Sequence, residues 1–382
     1  MSDRKSPTAF YRSELKSLLN QIKHDLKFSR ALRRGVRVRD HGSGRLPFDF
    51  EFLVSSNTGL HHVSPSGIST ILSTPMYGIT LTDDFLFIAA QVHKRSVVVR
   101  FERPTDDLQS IRDPMILLDS MVDSTNGRVH QINHAAGHLW VTATDRNSIL
   151  RIDAESGSML SEIWPLTDSF GRCIVADHNH INSVHVFGES IVFTAYGAGD
   201  HSLVGVIDER RNVTGFRYAN MGIHDIYFER DNFYFCDTFG NADEPERGGV
   251  LVTRHGPHPS DVFAKQPGYI PRGVVKSGTQ LVVGNSHKGN RSLRFKGKGS
   301  LLLFVDDVFH YEHEMPCAQI YQLIRTDGWN SDDCGDDLRA GDMTNMLAES
   351  LGPPVYSGTA FWRESDEMSD SKPLRQWRMR HG

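Results

Sequence analysis

Five short segments of this chain place a chemically capable side chain at the same point before an apolar strand. Two residues ahead of Ile79, Ile132, Val184, Ile226 and Val274 stand Tyr77, His130, Asn182, His224 and Arg272. Imidazole exchanges protons near neutral pH and ligates divalent transition metals. Guanidinium is a fixed cation suited to gripping a carboxylate or phosphate, and a phenol can share acid and base duties with a histidine. His180, two residues before Asn182, can turn into the same space. Tyr77, His130, His224 and Arg272 are therefore candidate catalytic residues. His130, His180 and His224 are candidate ligands for a divalent metal such as Mn, Fe or Zn. Asn182, Gln131, Asn133, His287 and Arg272 are candidate substrate contacts. One residue before each strand come Gly78, Gln131, Ser183, Asp225 and Gly273. Asp225 beside His224 is a candidate to orient that ring, although adjacent strand residues point to opposite faces.

The elements that would position these residues are short strands. From Phe48 to Phe309 runs rich in β-branched and aromatic residues alternate with turn residues. A unit recurs in YGITLTDDFLFIAA, HQINHAAGHLWVTA, INSVHVFGESIVFTA, HDIYFERDNFYFCDT and RGVVKSGTQLVVGNS: a strand, a turn, then a second strand ending in small residues. Unit starts lie about 40 to 55 residues apart, the spacing of propeller blades. The expected fold is all-β, a six-bladed β-propeller over residues 46–326, in which the five registered residues face one another across the channel mouth. The first unit, FEFLVSSNTGLHHVSPSGISTIL, lacks an inner strand. Propellers close by pairing strands from both termini, so AQIYQLI and PVYSGTAFW are candidates to supply it. Seven blades remain open if 305–365 holds a further degenerate one.

Outside the repeats, Phe10, Leu15, Leu18, Leu19, Ile22 and Leu26 recur at helical spacing, so an N-terminal helix is expected within 1–45. Residues 327–382 read as an irregular C-terminal extension, partly closing the propeller or partly disordered. HHVSP at His61 is placed on the surface, and FHYEHE at Phe309 reads as a solvated edge strand. The basic RSLRFKGKGS follows no βα pattern and is not read as a phosphate loop.

Composition narrows the function classes. A net charge of −5 gives no global attraction to nucleic acid. Four dispersed cysteines form no CxxC pair, so neither a zinc ribbon nor a disulfide framework is expected. With no apolar leader and no membrane-length apolar run, a cytoplasmic protein without membrane contact is expected. No GxSxG, HExxH or Walker motif occurs, and no nucleotide cofactor is expected.

PMYGIT at Pro75, HINS at His180, MGIHDI at Met221, PGYIPRGV at Pro267 and VGNS at Val283 follow one another in an order that resembles a family of propeller proteins known as a domain of unknown function. Tyr77 is an insertion against that family's turn, and Ser183 replaces its glycine. The resemblance implies the propeller and a polar centre, not a reaction. More distantly the chain is similar to gluconolactonase-like propellers, but no glutamate stands in the registered ring. The histidines are more similar to those of propeller lyases that bind manganese or iron.

These readings lead to an enzyme that holds a small polar, anionic substrate, free or carrier-linked, with Arg272 as anion clamp. Lyase or epimerase-type proton abstraction is preferred. A non-catalytic scaffold or ligand-binding propeller and a metal-dependent hydrolase are the alternatives.

Overall fold

The structure is a computed structural model. It describes residues 39–364 apart from 42–43, 93–94, 104–107, 109–110, 120–127, 168–179, 197–200, 219–220, 230–231, 241–248, 254–259, 265–268, 288–294 and 328–338. The helix expected near the N-terminus and the last part of the C-terminal extension lie outside the described residues.

Six antiparallel sheets follow one another along the chain, which is a six-bladed propeller, not a seven-bladed one. Blades 2 to 6 begin with inner strands Met76–Leu81, Val129–Ala135, Ile181–Phe187, Met221–Glu229 and Tyr269–Ser277, and each adds three strands outward in chain order. Blade 1 is composite. Its inner strand is Ile320–Arg325, followed outward by Phe52–Ser56, Leu60–Ser64, Gly67–Leu72 and Arg39–Asp40. AQIYQLI thus closes the ring. Its near-continuous burial suits an inner strand, with Ile320, Gln322, Leu323 and Ile324 buried.

PVYSGTAFW does something else. Tyr356–Thr359 becomes a fifth, outermost strand on blade 4, and Phe361–Glu364 one on blade 3. Alternately exposed side chains fit that outer edge and would not fit the channel wall. Tyr356–Thr359 and Phe361–Glu364 therefore pair with the propeller sheets, and so do Arg39–Asp40. FHYEHE lies in Val308–Glu314, the outer strand of blade 6, with Val308 and Phe309 exposed.

Helix α1, Ala340–Leu351, precedes those outer strands. The Asp342 carboxylate accepts from the Arg339 backbone N–H and caps the first turn. Met343, Met346 and Leu347 recur at helical spacing on one buried face, which packs on Phe187, Phe216 and Phe228 of blades 4 and 5. Among the described residues no helix is long and apolar enough to cross a membrane.

His61 corrects the surface assignment. It is buried, its Nε2 bonded to Ser56 Oγ at 2.9 Å and its Nδ1 to Thr70 Oγ1 at 2.9 Å. Burial lowers its pKa to about 4, so it is a neutral core histidine. His62, its neighbour on the opposite face, pairs with Glu51.

Leu347→Ala would leave a cavity under α1 and is expected to cost about 2–5 kcal/mol. Denaturant unfolding measures this, and a loss below about 0.5 kcal/mol would show that α1 does not carry the blade 4–5 seam.

Candidate active site

The innermost strand of every blade has one edge with no neighbouring strand. Its backbone N–H and C=O groups need partners from elsewhere. Two rings of side chains supply them. In the first ring, a serine or threonine of one blade bonds the inner strand of the next at all six junctions. Ser55 Oγ donates to Tyr77 O, Thr144 Oγ1 to Ile181 O, Thr238 Oγ1 to Pro271 O and Ser286 Oγ to Ile320 O. Ser96 Oγ and Ser202 Oγ accept from Val129 N and Ile223 N.

The second ring alternates long and small residues: Gln322, Gly78, Gln131, Ser183, Asp225, Gly273. Each long member reaches into the next blade and accepts from its strand. Ile79 N donates to Gln322 Oε1 at 2.8 Å, Val184 N to Gln131 Oε1 at 2.8 Å and Val274 N to Asp225 Oδ2 at 3.1 Å. Gln131 Nε2 then crosses to Asp225 Oδ1 at 2.8 Å. The small members are required by that approach. A Cβ on Gly78 would stand 2.7 Å from Ile132 N, and one on Gly273, at φ +78, would stand 2.5 Å from Leu323 Cδ1.

In all six blades the inner strand also carries one residue more than the strand beside it at this level, a β-bulge. The bulge breaks the strict alternation of side chains. His130 with Gln131, and His224 with Asp225, therefore both line the central pocket, together with Tyr77, Asn182, Arg272, Tyr321 and Gln322. Asp225 is thus a wall of the pocket and not a support behind His224. Asn133 and His287 lie outside it. Asn133 is buried opposite Trp140, and His287 packs on Tyr269 in blade 6. Tyr321 and Gln322 are additions to the sequence-derived set. Registering AQIYQLI on Leu323 would have found both.

The pocket encloses about 20 Å³, room for one water or one functional group of a ligand. Tyr77 and Tyr321 stack at 4.3 Å. The His130 ring lies 4.9 Å from His180, edge-on, and 6.2 Å from His224. Burial, then the neighbouring His180, His224 and Arg272, holds the His130 pKa well below the usual imidazole range, so its ring is neutral. Burial raises Asp225 to about 8, against the opposing effect of the bonds from Val274 and Gln131. Burial also raises the Tyr321 phenol, first among causes that include Tyr77. His130, Asp225 and Tyr321 are thus held neutral near pH 7.

His224 Nδ1 lies 2.9 Å from Gly222 O and 2.8 Å from Thr238 Oγ1. Thr238 gives its own proton to Pro271 O, so the proton between it and His224 belongs to Nδ1. The basic nitrogen of His224 is then Nε2. Asn182 Nδ2 donates to Ile223 O at 2.9 Å, while its buried Oδ1 has no hydrogen-bond partner among the described residues. Two non-glycine residues of the site, His180 at φ 49 and Asp225 at φ 58, sit in the left-handed region, which costs roughly 1–3 kcal/mol each.

No protein-family model and no curated protein sequence matches the chain. Solved structures do. A chain of a nidogen/laminin complex is 9% identical, covering 72% of this chain and 97% of its own, with a TM-score of 0.48. A luciferin-regenerating enzyme is 11% identical over 75% and 83%, TM-score 0.46. A member of the duf4221 family from Bacteroides vulgatus is 11% identical over 74% and 88%, TM-score 0.41.

The expected metal does not fit the donors as they are placed. Among the described residues no three His, Cys, Asp or Glu side chains form a group that could hold an ion. Proton transfer and anion binding are what these residues can do as arranged.

Asp225 couples the ring to pH. Its folded-state pKa, about 8, lies above the unfolded value. Its contribution to stability is therefore full at acid pH and is lost as pH rises from about 4 to about 8. Asn in its place would also set an NH2 against Gln131 Nε2 or Val274 N–H. Asp225→Asn is expected to be less stable than wild type, with the gap shrinking between pH 5 and 7 (about one unit inside each limit). Chemical denaturation across that range measures it, and a gap independent of pH would contradict a neutral Asp225.

Proposed function

We propose that the channel mouth binds a small hydroxy acid and moves a proton at the carbon beside its carboxylate, an epimerase- or lyase-type reaction. The observation that carries this reading is Asn182 Oδ1, a buried acceptor without a partner among the described residues, in the same pocket as Arg272. A buried acceptor left unsatisfied costs about 1–3 kcal/mol. A substrate hydroxyl donating to it would recover that cost, while the substrate carboxylate pairs with the Arg272 guanidinium.

The other walls suit proton movement. His224 Nε2 takes the proton from the carbon beside the carboxylate. The electron pair moves into an enediolate, whose charge Arg272 offsets. Return of a proton to the opposite face, from the neutral Asp225 carboxyl or the Tyr77 phenol, gives the epimer. Loss of a neighbouring hydroxyl, carrying a proton from Tyr77 and leaving as water, gives elimination. The small cavity admits one functional group of the molecule, and the remainder lies over the mouth.

Incubating the protein with tartrate, gluconate and glucuronate in D2O, and reading deuterium beside the carboxylate by mass spectrometry, tests the step without knowledge of the product. Exchange is expected for at least one of these acids. His224→Gln should lower it about 100-fold or more while the fold is retained. Arg272→Met should raise the concentration needed about tenfold or more. Exchange that survives His224→Gln, or an acid that binds and never exchanges, would remove His224 from the role of base.

A further inference from the structure

A second and larger pocket lies at the seam where blade 6 meets the composite blade. It encloses about 580 Å³, within the range of small-molecule sites. Its charged lining is mainly cationic or imidazole: Lys296, Lys298, His41 and His313, against the single acid Glu314. Glu314 pairs with Lys298. Among the described residues no acid pairs with Lys296. His313 is kept neutral by burial, partly opposed by Glu314. Phe295 stands at the rim, 55% exposed, one of the few large apolar side chains left in water.

The lysines come from FKGKG, the basic stretch that the channel site does not use. Gly297 fixes this segment against blade 6, since a Cβ there would stand 2.3 Å from the His287 ring. His287 thus acts from beneath, as the packing surface under the segment. On the other side, the pocket is lined by the turn at Asn57 and Thr58 and by Met315–Ala318, which lead into the closing strand. Two flexible ammonium groups flanking a glycine match a compact multiply charged anion. No guanidinium fork for a single carboxylate is present among the lining residues.

We infer that this seam pocket is a second ligand site, which takes a small phosphate-bearing molecule with a flat apolar part. The phosphate sits between Lys296 and Lys298, and the flat part covers Phe295. The ligand then bridges blade 6 and the closing blade and adds stability to the seam.

Calorimetric titration with phenyl phosphate and with inorganic phosphate tests this. Phenyl phosphate should saturate one site and bind more tightly than phosphate. Lys296→Glu with Lys298→Glu should weaken it more than tenfold, with the fold checked by circular dichroism. Phe295→Ala should remove the advantage over inorganic phosphate. Glu314→Gln, which frees Lys298, should tighten binding. Arg272→Met should leave it unchanged. Absence of saturable binding, binding that survives the double charge reversal, or binding lost in Arg272→Met would each overturn the assignment.

Discussion

A propeller leaves six strand edges facing its own axis, and their backbone polar groups must be satisfied in a space too narrow for another strand. This chain solves that with side chains. Gln322, Gln131 and Asp225, from alternate blades, each accept from the strand of the following blade. The intervening positions are Gly78, Ser183 and Gly273, small enough for that reach. A larger residue at a small position, or an apolar one at a long position, removes both a hydrogen bond and the space for it. The serines and threonines at the six blade junctions repeat the arrangement one layer away. Each blade is thus tied to the next by hydrogen bonds that flat packing between apolar sheets would not supply.

The same device creates the site. An extra residue in each inner strand lets two consecutive side chains turn toward the axis, one into the hydrogen-bonded ring and one into the mouth. His224 and Asp225 become neighbours in the pocket for this reason, and the left-handed backbone at Asp225 is part of the cost. The ring closes the channel below the mouth and leaves a small polar cavity above it. Burial there disfavours charge, so His130 and Asp225 are neutral beside the Arg272 cation. An anion entering that cavity meets one fixed positive charge and several groups able to give or take a proton.

Much of this was legible before the fold was known. The repeat spacing gave the blade count, and registering the units on their apolar strands put Tyr77, His130, Asn182, His224 and Arg272 into one ring. The small-residue positions were visible in that alignment as well. What was not legible depended on distance along the chain. The inner strand Ile320–Arg325 pairs with Phe52–Ser56; AQIYQLI was one of two candidates for it and was not registered with the other five units, so Tyr321 and Gln322 stood outside the ring. PVYSGTAFW has strand character whichever edge receives it, and its destination is set by which blades α1 brings it near. Asp225 was misplaced because strict alternation is a rule for regular strands. A bulge suspends it without a distinctive sequence mark, since aspartate tolerates the left-handed conformation nearly as quietly as glycine signals it.

The account turns on the protonation state of one ring, His224, with its proton on Nδ1 and its lone pair on Nε2. Nitrogen-15 spectra of histidine-labelled protein near pH 7, with His224→Gln used to assign the signals, read this directly. The account predicts a neutral imidazole with a protonated Nδ1 and a pyridine-type Nε2. A proton on Nε2, or a fully protonated imidazolium, would contradict it, because the ring would then have no base to offer the pocket.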